Sequence, residues 1–78
     1  MKKVAIYSTR TCVYCKDAKD LFEKYKIVYD EYNVGTDLDR RREMVERSGQ
    51  KGVPVIIIDD EVIVGFDEPR LKKALEIK

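Results

Sequence analysis

The apolar residues of this chain change their period twice within the first 33 positions. Lys3-Val4-Ala5-Ile6-Tyr7 is a compact apolar run and reads as a short, largely buried strand. Across residues 13–26 the apolar positions are Ala18, Leu21, Phe22 and Tyr25. That is the i, i+3, i+4, i+7 stripe of an amphipathic helix. Ile27-Val28-Tyr29-Asp30-Glu31-Tyr32-Asn33 returns to β-branched and aromatic residues and is predicted to be a second strand. Two strands joined through a helix are expected to run parallel, with a right-handed crossover.

Gly35-Thr36-Asp37 then breaks the pattern. Residues 37–48 read as a second helix with a thin apolar face of Leu38, Met44 and Val45, and Gly49 follows where a left-handed C-cap glycine belongs. Val53-Pro54-Val55-Ile56-Ile57-Ile58 is apolar enough for a central strand. Asp59-Asp60 turns it into the hairpin partner Glu61-Val62-Ile63-Val64. Gly65-Phe66 ends that strand, and Asp67 is the expected cap of a last helix carrying Leu71, Ala74 and Leu75 on one face. Pro69 fits its first turn, where a missing N–H costs nothing. Thr11 is the expected N-cap of the first helix. The element order is β-α-β-α-β-β-α, which makes an α/β domain over residues 1–78 with a four-stranded mixed sheet and three helices.

Composition removes several classes of function. A net charge of +1 from 16 basic and 15 acidic residues offers no field for a polyanion, so nucleic-acid binding is not expected. Arg40-Arg41-Arg42 lies among Asp37, Asp39, Glu43 and Glu46, and Asp37–Arg41 and Arg42–Glu46 are i,i+4 pairs. This segment reads as a solvated, ion-laced face. Without histidine, His-based triads are impossible, and two cysteines cannot complete a four-ligand zinc site within one chain. No metal is expected. The apolar stretch after Met1-Lys2-Lys3 breaks at Ser8-Thr9-Arg10-Thr11, short of the roughly 7–15 apolar residues of a signal peptide. No run approaches the roughly 18 apolar residues of a membrane span. A cytoplasmic, reducing location follows as the expectation, with a secreted form already stripped of its leader as the alternative.

Chemistry concentrates in Cys12-Val13-Tyr14-Cys15, after the first strand and at the start of the first helix. Residues three apart at a helix start lie on one side, close enough to bridge. Cys12 would face the unpaired N–H groups and the positive end of the helix dipole. A thiolate there can have a pKa of roughly 3.5–7.5, against about 8.5 for a free cysteine. Arg10 and Lys16 flank the pair and push the same way. A shift of three units would be about 4 kcal/mol in favour of the charged form. Cys12 is then the attacking thiol and Cys15 the resolving one. The competing readings are half of a zinc site shared by two chains, and a structural disulfide, which closes too short a loop to gain much stability. In its β-α-β setting the motif reads as a redox pair.

Three further features surround it. Pro54 is anomalous in a central strand. It is either a trans proline at the strand start or a cis proline that turns the N–H and C=O of Val53 toward an extended substrate. Gly65-Phe66-Asp67 is either a turn glycine with a core Phe, or a place where a ligand backbone approaches Gly65 and a carboxylate meets the last helix. Tyr14 is expected to be exposed, with Tyr7, Tyr25, Tyr29 and Tyr32 packing in core or edge.

On these residues the sequence resembles the glutaredoxin family over essentially its full length. The matches are the first strand, Cys12-Val13-Tyr14-Cys15, Val53-Pro54, and Gly65-Phe66-Asp67. It is similar to the short YruB-type members through the shared stretch Ser48-Gly49-Gln50-Lys51-Gly52-Val53-Pro54-Val55. The resemblance implies a thioredoxin fold with strand order 2-1-3-4, a cis Pro54, and a dithiol–disulfide oxidoreductase acting through Cys12 and Cys15. It implies a groove lined by Arg10, Tyr14, Val53, Pro54, Gly65, Phe66 and Asp67. It further implies no bound cofactor, disulfide-containing proteins as partners, glutathione as an electron donor, and a monomer. The chain departs from the family at Val13 (usually proline), Thr9 (often lysine), Gly52 (usually threonine) and Val64 (usually glycine). Val13 and the Gly65-Phe66 step are similar to NrdH redoxins, which take electrons from thioredoxin reductase and feed ribonucleotide reductase.

Overall fold

The structure, a computed structural model, describes residues 3–76. Its elements are β1 (Val4–Ser8), α1 (Val13–Lys24), β2 (Asp30–Asn33), α2 (Leu38–Ser48), β3 (Val55–Ile58), β4 (Glu61–Val64) and α3 (Glu68–Ala74), in the expected order. The sheet order is β2-β1-β3-β4. β1 runs parallel to β2 and antiparallel to β3, pairing Ile6 with Ile56 and Tyr7 with Val55. β3 and β4 form the antiparallel hairpin. This is a thioredoxin fold.

Alternation along the central strands builds two cores. Val4, Ile6, Ile56, Ile58 and Ile63 face Ala18, Leu21 and Phe22 of α1 and Leu71 and Ala74 of α3. On the opposite face Tyr7, Val55 and Ile57 pack with Val34 and with Met44 of α2. β1 and β3 each lie between two neighbours, so the loop that follows the C-terminal end of β1 is held by a central strand of the sheet.

Several boundaries differ from the sequence expectation. α1 stops at Lys24, because Lys26 takes a left-handed φ of 56° and the Ile27 N–H turns back to the Phe22 carbonyl at 2.7 Å. This exit consumes residues 27–29, and Val28 is left 73% exposed. β2 therefore begins at Asp30 rather than at Ile27. β1 runs one residue beyond Tyr7 to Ser8. β3 starts at Val55, since Pro54 has no N–H for the ladder. In α2, Met44 is fully buried and Val45 half-buried, but Leu38 is 70% exposed. Six residues of helix separate Leu38 from Met44, which turns their side chains about 120° apart.

The polar side of α2 also differs. Arg41 and Arg42 are exposed, but Arg40 lies over the Tyr32 ring, 4.1 Å from its centroid. Among the described residues neither Asp37–Arg41 nor Arg42–Glu46 forms an ion pair. Asp37 instead caps the helix by accepting the Arg40 N–H at 3.1 Å, and Arg40 pairs with Glu43 at 3.1 Å. Glu43 also receives the hydroxyl of buried Tyr7. Part of the ionic face is thus turned onto the sheet.

Candidate active site

β1 delivers the short loop 9–12 directly into α1. The Cys12 N–H reaches back to the Thr9 carbonyl at 3.4 Å, and the Cys12 carbonyl accepts the Lys16 N–H at 3.3 Å. The N-cap of α1 is Cys12, not Thr11. Its backbone is extended (φ −83°, ψ 109°), and its own sulfur accepts the Cys15 N–H at 3.1 Å. Thr11 was the expected cap because hydroxyl residues lead the capping preferences. It lies one position too early, and the sulfur has taken the role. The consequence is chemical: Sγ of Cys12 sits where a helix start stabilises negative charge.

Cys12 and Cys15 are joined as a disulfide, with Cα atoms 5.2 Å apart. Cys12 is half-buried while Cys15 is 1% exposed. An incoming sulfur therefore meets Cys12 first. Val13 and Tyr14 between them are 70% and 63% exposed, so the rim of the disulfide is apolar. Arg10 and Lys16 are exposed on either side, and among the described residues neither is in an ion pair.

The Val53-Pro54 bond is cis. Pro54 is buried and its carbonyl accepts the Gly65 N–H at 2.8 Å, which ties the start of β3 to the end of β4. Gly65 has φ 84°, a left-handed conformation that side chains rarely adopt. Among the described residues neither backbone group of Val53 has a hydrogen-bond partner. Phe66 is half-buried against the core on the α1 and α3 side. Asp67 caps α3 by accepting the Arg70 N–H at 3.3 Å, and Pro69 in the first turn has no N–H to offer. The last helix start is thus largely served by the chain's own carboxylate.

Two groups of residues here were not anticipated. Ser8, buried at the end of β1, donates to Glu31 Oε2 at 3.1 Å, and the same oxygen takes Lys19 Nζ at 2.7 Å. The Lys19 hydrogen bond is the main reason the Glu31 carboxyl lies below its ordinary range, and Glu31 in turn raises Lys19. This chain of contacts ties β1, β2 and α1 together behind the cysteine loop. A serine ending an apolar strand was its only sequence signal. The other group is Gln50, whose side chain closes on the backbone of Gly52. Its signal was a carboxamide two residues before a glycine.

Among the described residues, no group of three or more His, Cys, Asp or Glu is placed to hold a metal ion. No helix there is long and apolar enough to cross a membrane.

The glutaredoxin family model matches residues 4–63. A glutaredoxin-like 8.6 kDa protein from the rubredoxin operon of Clostridium pasteurianum is 42% identical over 73 residues, covering 94% of this chain and 97% of that one. Glutaredoxin 3 of Escherichia coli is 38% identical over 68 residues, covering 87% and 82%. Among solved structures, a mutant form of the thioredoxin-like protein BC3987 superposes with a TM-score of 0.93 at 28% identity, covering all of both chains. With a Cys12–Cys15 disulfide at the start of the first helix of a thioredoxin fold and a family match across most of its length, the chain belongs to the glutaredoxin family and is a thiol–disulfide oxidoreductase.

Proposed function

We propose that the chain reduces disulfides in proteins, and mixed disulfides of glutathione, with Cys12 as nucleophile and Cys15 as resolving thiol. The Cys12 thiolate attacks one sulfur of the substrate disulfide. A mixed disulfide forms and the first substrate sulfur leaves as a thiolate, which takes up a proton. Cys15 then loses its proton and attacks Sγ of Cys12. The Cys12–Cys15 disulfide closes and the second substrate thiol departs. Two electrons and two protons have passed to the substrate, and an external thiol donor restores the pair. The carrying observation is the unequal placement of the two sulfurs: Cys12 at the helix tip accepting an N–H at 3.1 Å, and Cys15 at 1% exposure beneath it.

In this reading Arg10 and Lys16 favour the thiolate by charge, and Tyr14, Val53, Pro54, Gly65, Phe66 and Asp67 line the substrate groove with Arg10. The protein works as a monomer in the reducing cytoplasm. Cys12→Ser abolishes disulfide reduction, and Cys15→Ser accumulates a mixed disulfide on Cys12, visible as an adduct by intact mass. Reduction that survives Cys12→Ser contradicts the mechanism.

For the donor, glutathione is the first reading. A second, thioredoxin reductase as donor and ribonucleotide reductase as acceptor, is favoured by Val64 and Asp67. Val64 is 48% exposed where glutathione would pass, and the Asp67 carboxylate already serves the α3 start. NADPH consumption coupled through glutathione and glutathione reductase, against consumption with thioredoxin reductase alone, separates the two. A zinc-bridged binding module would instead carry about half a zinc per chain, with thiols that resist oxidation.

A further inference from the structure

We propose that Gln50 is a positioning residue for peptide substrates, and that residue 52 is glycine because the Gln50 amide fills the place of its Cβ. This rests on the reading that extended substrates pair with the Val53 backbone beside Cys12. Gln50 Oε1 accepts the Gly52 N–H at 2.6 Å, and Gln50 Nε2 donates to the Gly52 carbonyl at 2.9 Å. One side-chain amide thus satisfies both backbone groups of a residue two positions away. Nε2 also lies 3.4 Å from the Ser48 hydroxyl, which donates to the Met44 carbonyl in the last turns of α2 at 2.7 Å. The amide orientation is fixed by these partners. Turned over, it would set NH₂ against the Gly52 N–H and oxygen against the Gly52 carbonyl.

The clamp holds one side of Val53, and the Gly65 N–H on the Pro54 carbonyl at 2.8 Å holds the other. Between two fixed neighbours, the N–H and C=O of Val53 are left without partners among the described residues. An extended peptide offers the complementary pair. A Cβ at Gly52 would lie 2.6 Å from Gln50 Oε1. Oε1 ends a flexible side chain, so it would swing away and the clamp would open. The φ of Gly52 is not in the left-handed region, so its backbone angle does not call for glycine; the closed clamp does, because it leaves no room for a Cβ. The loss of the family's threonine at this position and the presence of Gln50 are then one feature.

The test is single-turnover oxidation of the fully reduced protein, quenched by alkylation. One oxidant is an extended tetrapeptide mixed disulfide; the other is bis(2-hydroxyethyl) disulfide, which has no backbone to pair. Gln50→Ala raises the half-saturating peptide concentration about fivefold, equivalent to one net hydrogen bond of about 1 kcal/mol. The limiting rate and the rate with the small disulfide stay within about twofold. Gln50→Glu, which sets an oxygen against the Gly52 carbonyl, behaves like Gln50→Ala. Gly52→Ala gives the same rise, and the double variant is no worse than either single one. Additive single effects, an unchanged peptide response, or equal losses with both oxidants would overturn the proposal. Oxidation by both disulfides that persists in Cys12→Ser would overturn the mechanism beneath it, which is a separate outcome.

Discussion

Replacing Cys12 by Ser and by Ala removes the sulfur equally, yet the two variants should differ in stability. In the structure Sγ of Cys12 accepts the N–H of Cys15, the third residue of α1, at 3.1 Å. The first turn of α1 holds no acidic side chain to share that duty. A serine oxygen can make the same capping bond, whereas alanine leaves the N–H to water. Cap removal of this kind costs about 0.5–2 kcal/mol, typically about 1. In a domain of this size each kcal/mol moves Tm by about 4–8 °C. Thermal unfolding of both variants under reducing conditions is the assay, with the serine variant expected to melt about 4–8 °C higher. Thr11→Ala serves as the control. Thr11 is exposed and makes no capping bond, so its loss should fall within about 0.5 kcal/mol. Equal melting of the two Cys12 variants, or a larger loss at Thr11, would refute the assignment of the sulfur as the cap.

Other consequences follow from the same geometry. Tyr7 is held well above its ordinary value of 10.0, at about 12, by burial first and by its hydrogen bond to Glu43 second. A raised folded pKa gives stability that is complete below 10.0 and lost as pH climbs toward about 12, so urea midpoints should fall across that window and fall less in Tyr7→Phe. Glu31 is lowered by Lys19, so its contribution is complete above the ordinary carboxylate value of 4.5 and is lost as pH drops through the folded value; Glu31→Gln should flatten that acid limb. Met44 is the buried residue of α2 at 0% exposure, and Met44→Ala should cost about 2–5 kcal/mol, with faster amide exchange along α2 in particular.

The fold was legible where one physical signal ruled. The stripe of Ala18, Leu21 and Phe22 could only be a buried helix face, and all three are buried in α1. Gly49 at a left-handed φ of 73° ended α2 as a C-cap glycine does. Legibility failed where a local signal competed with tertiary geometry. Val28 has the β-branched character of a strand residue, but the exit from α1 leaves it in solvent. Leu38 is apolar, but it points away from the face that Met44 sets. Arg40 and Glu43 look like solvated charges, yet Tyr32 and Tyr7 give them partners on the sheet. At the site, the unequal exposure of the two cysteines was readable from their order on the helix. That the sulfur itself caps α1, and that Gln50 closes on Gly52, depends on three-dimensional reach that residue preferences do not encode.

The most direct measurement is the ultraviolet titration of the Cys12 thiolate in the Cys15→Ser variant. A sulfur that receives a backbone N–H at the tip of α1, with Arg10 and Lys16 close to it in sequence, should ionise at least about one unit below the 8.5 or so of a free cysteine. A midpoint at or above about 8.5 would contradict the claim that this helix start makes the nucleophile.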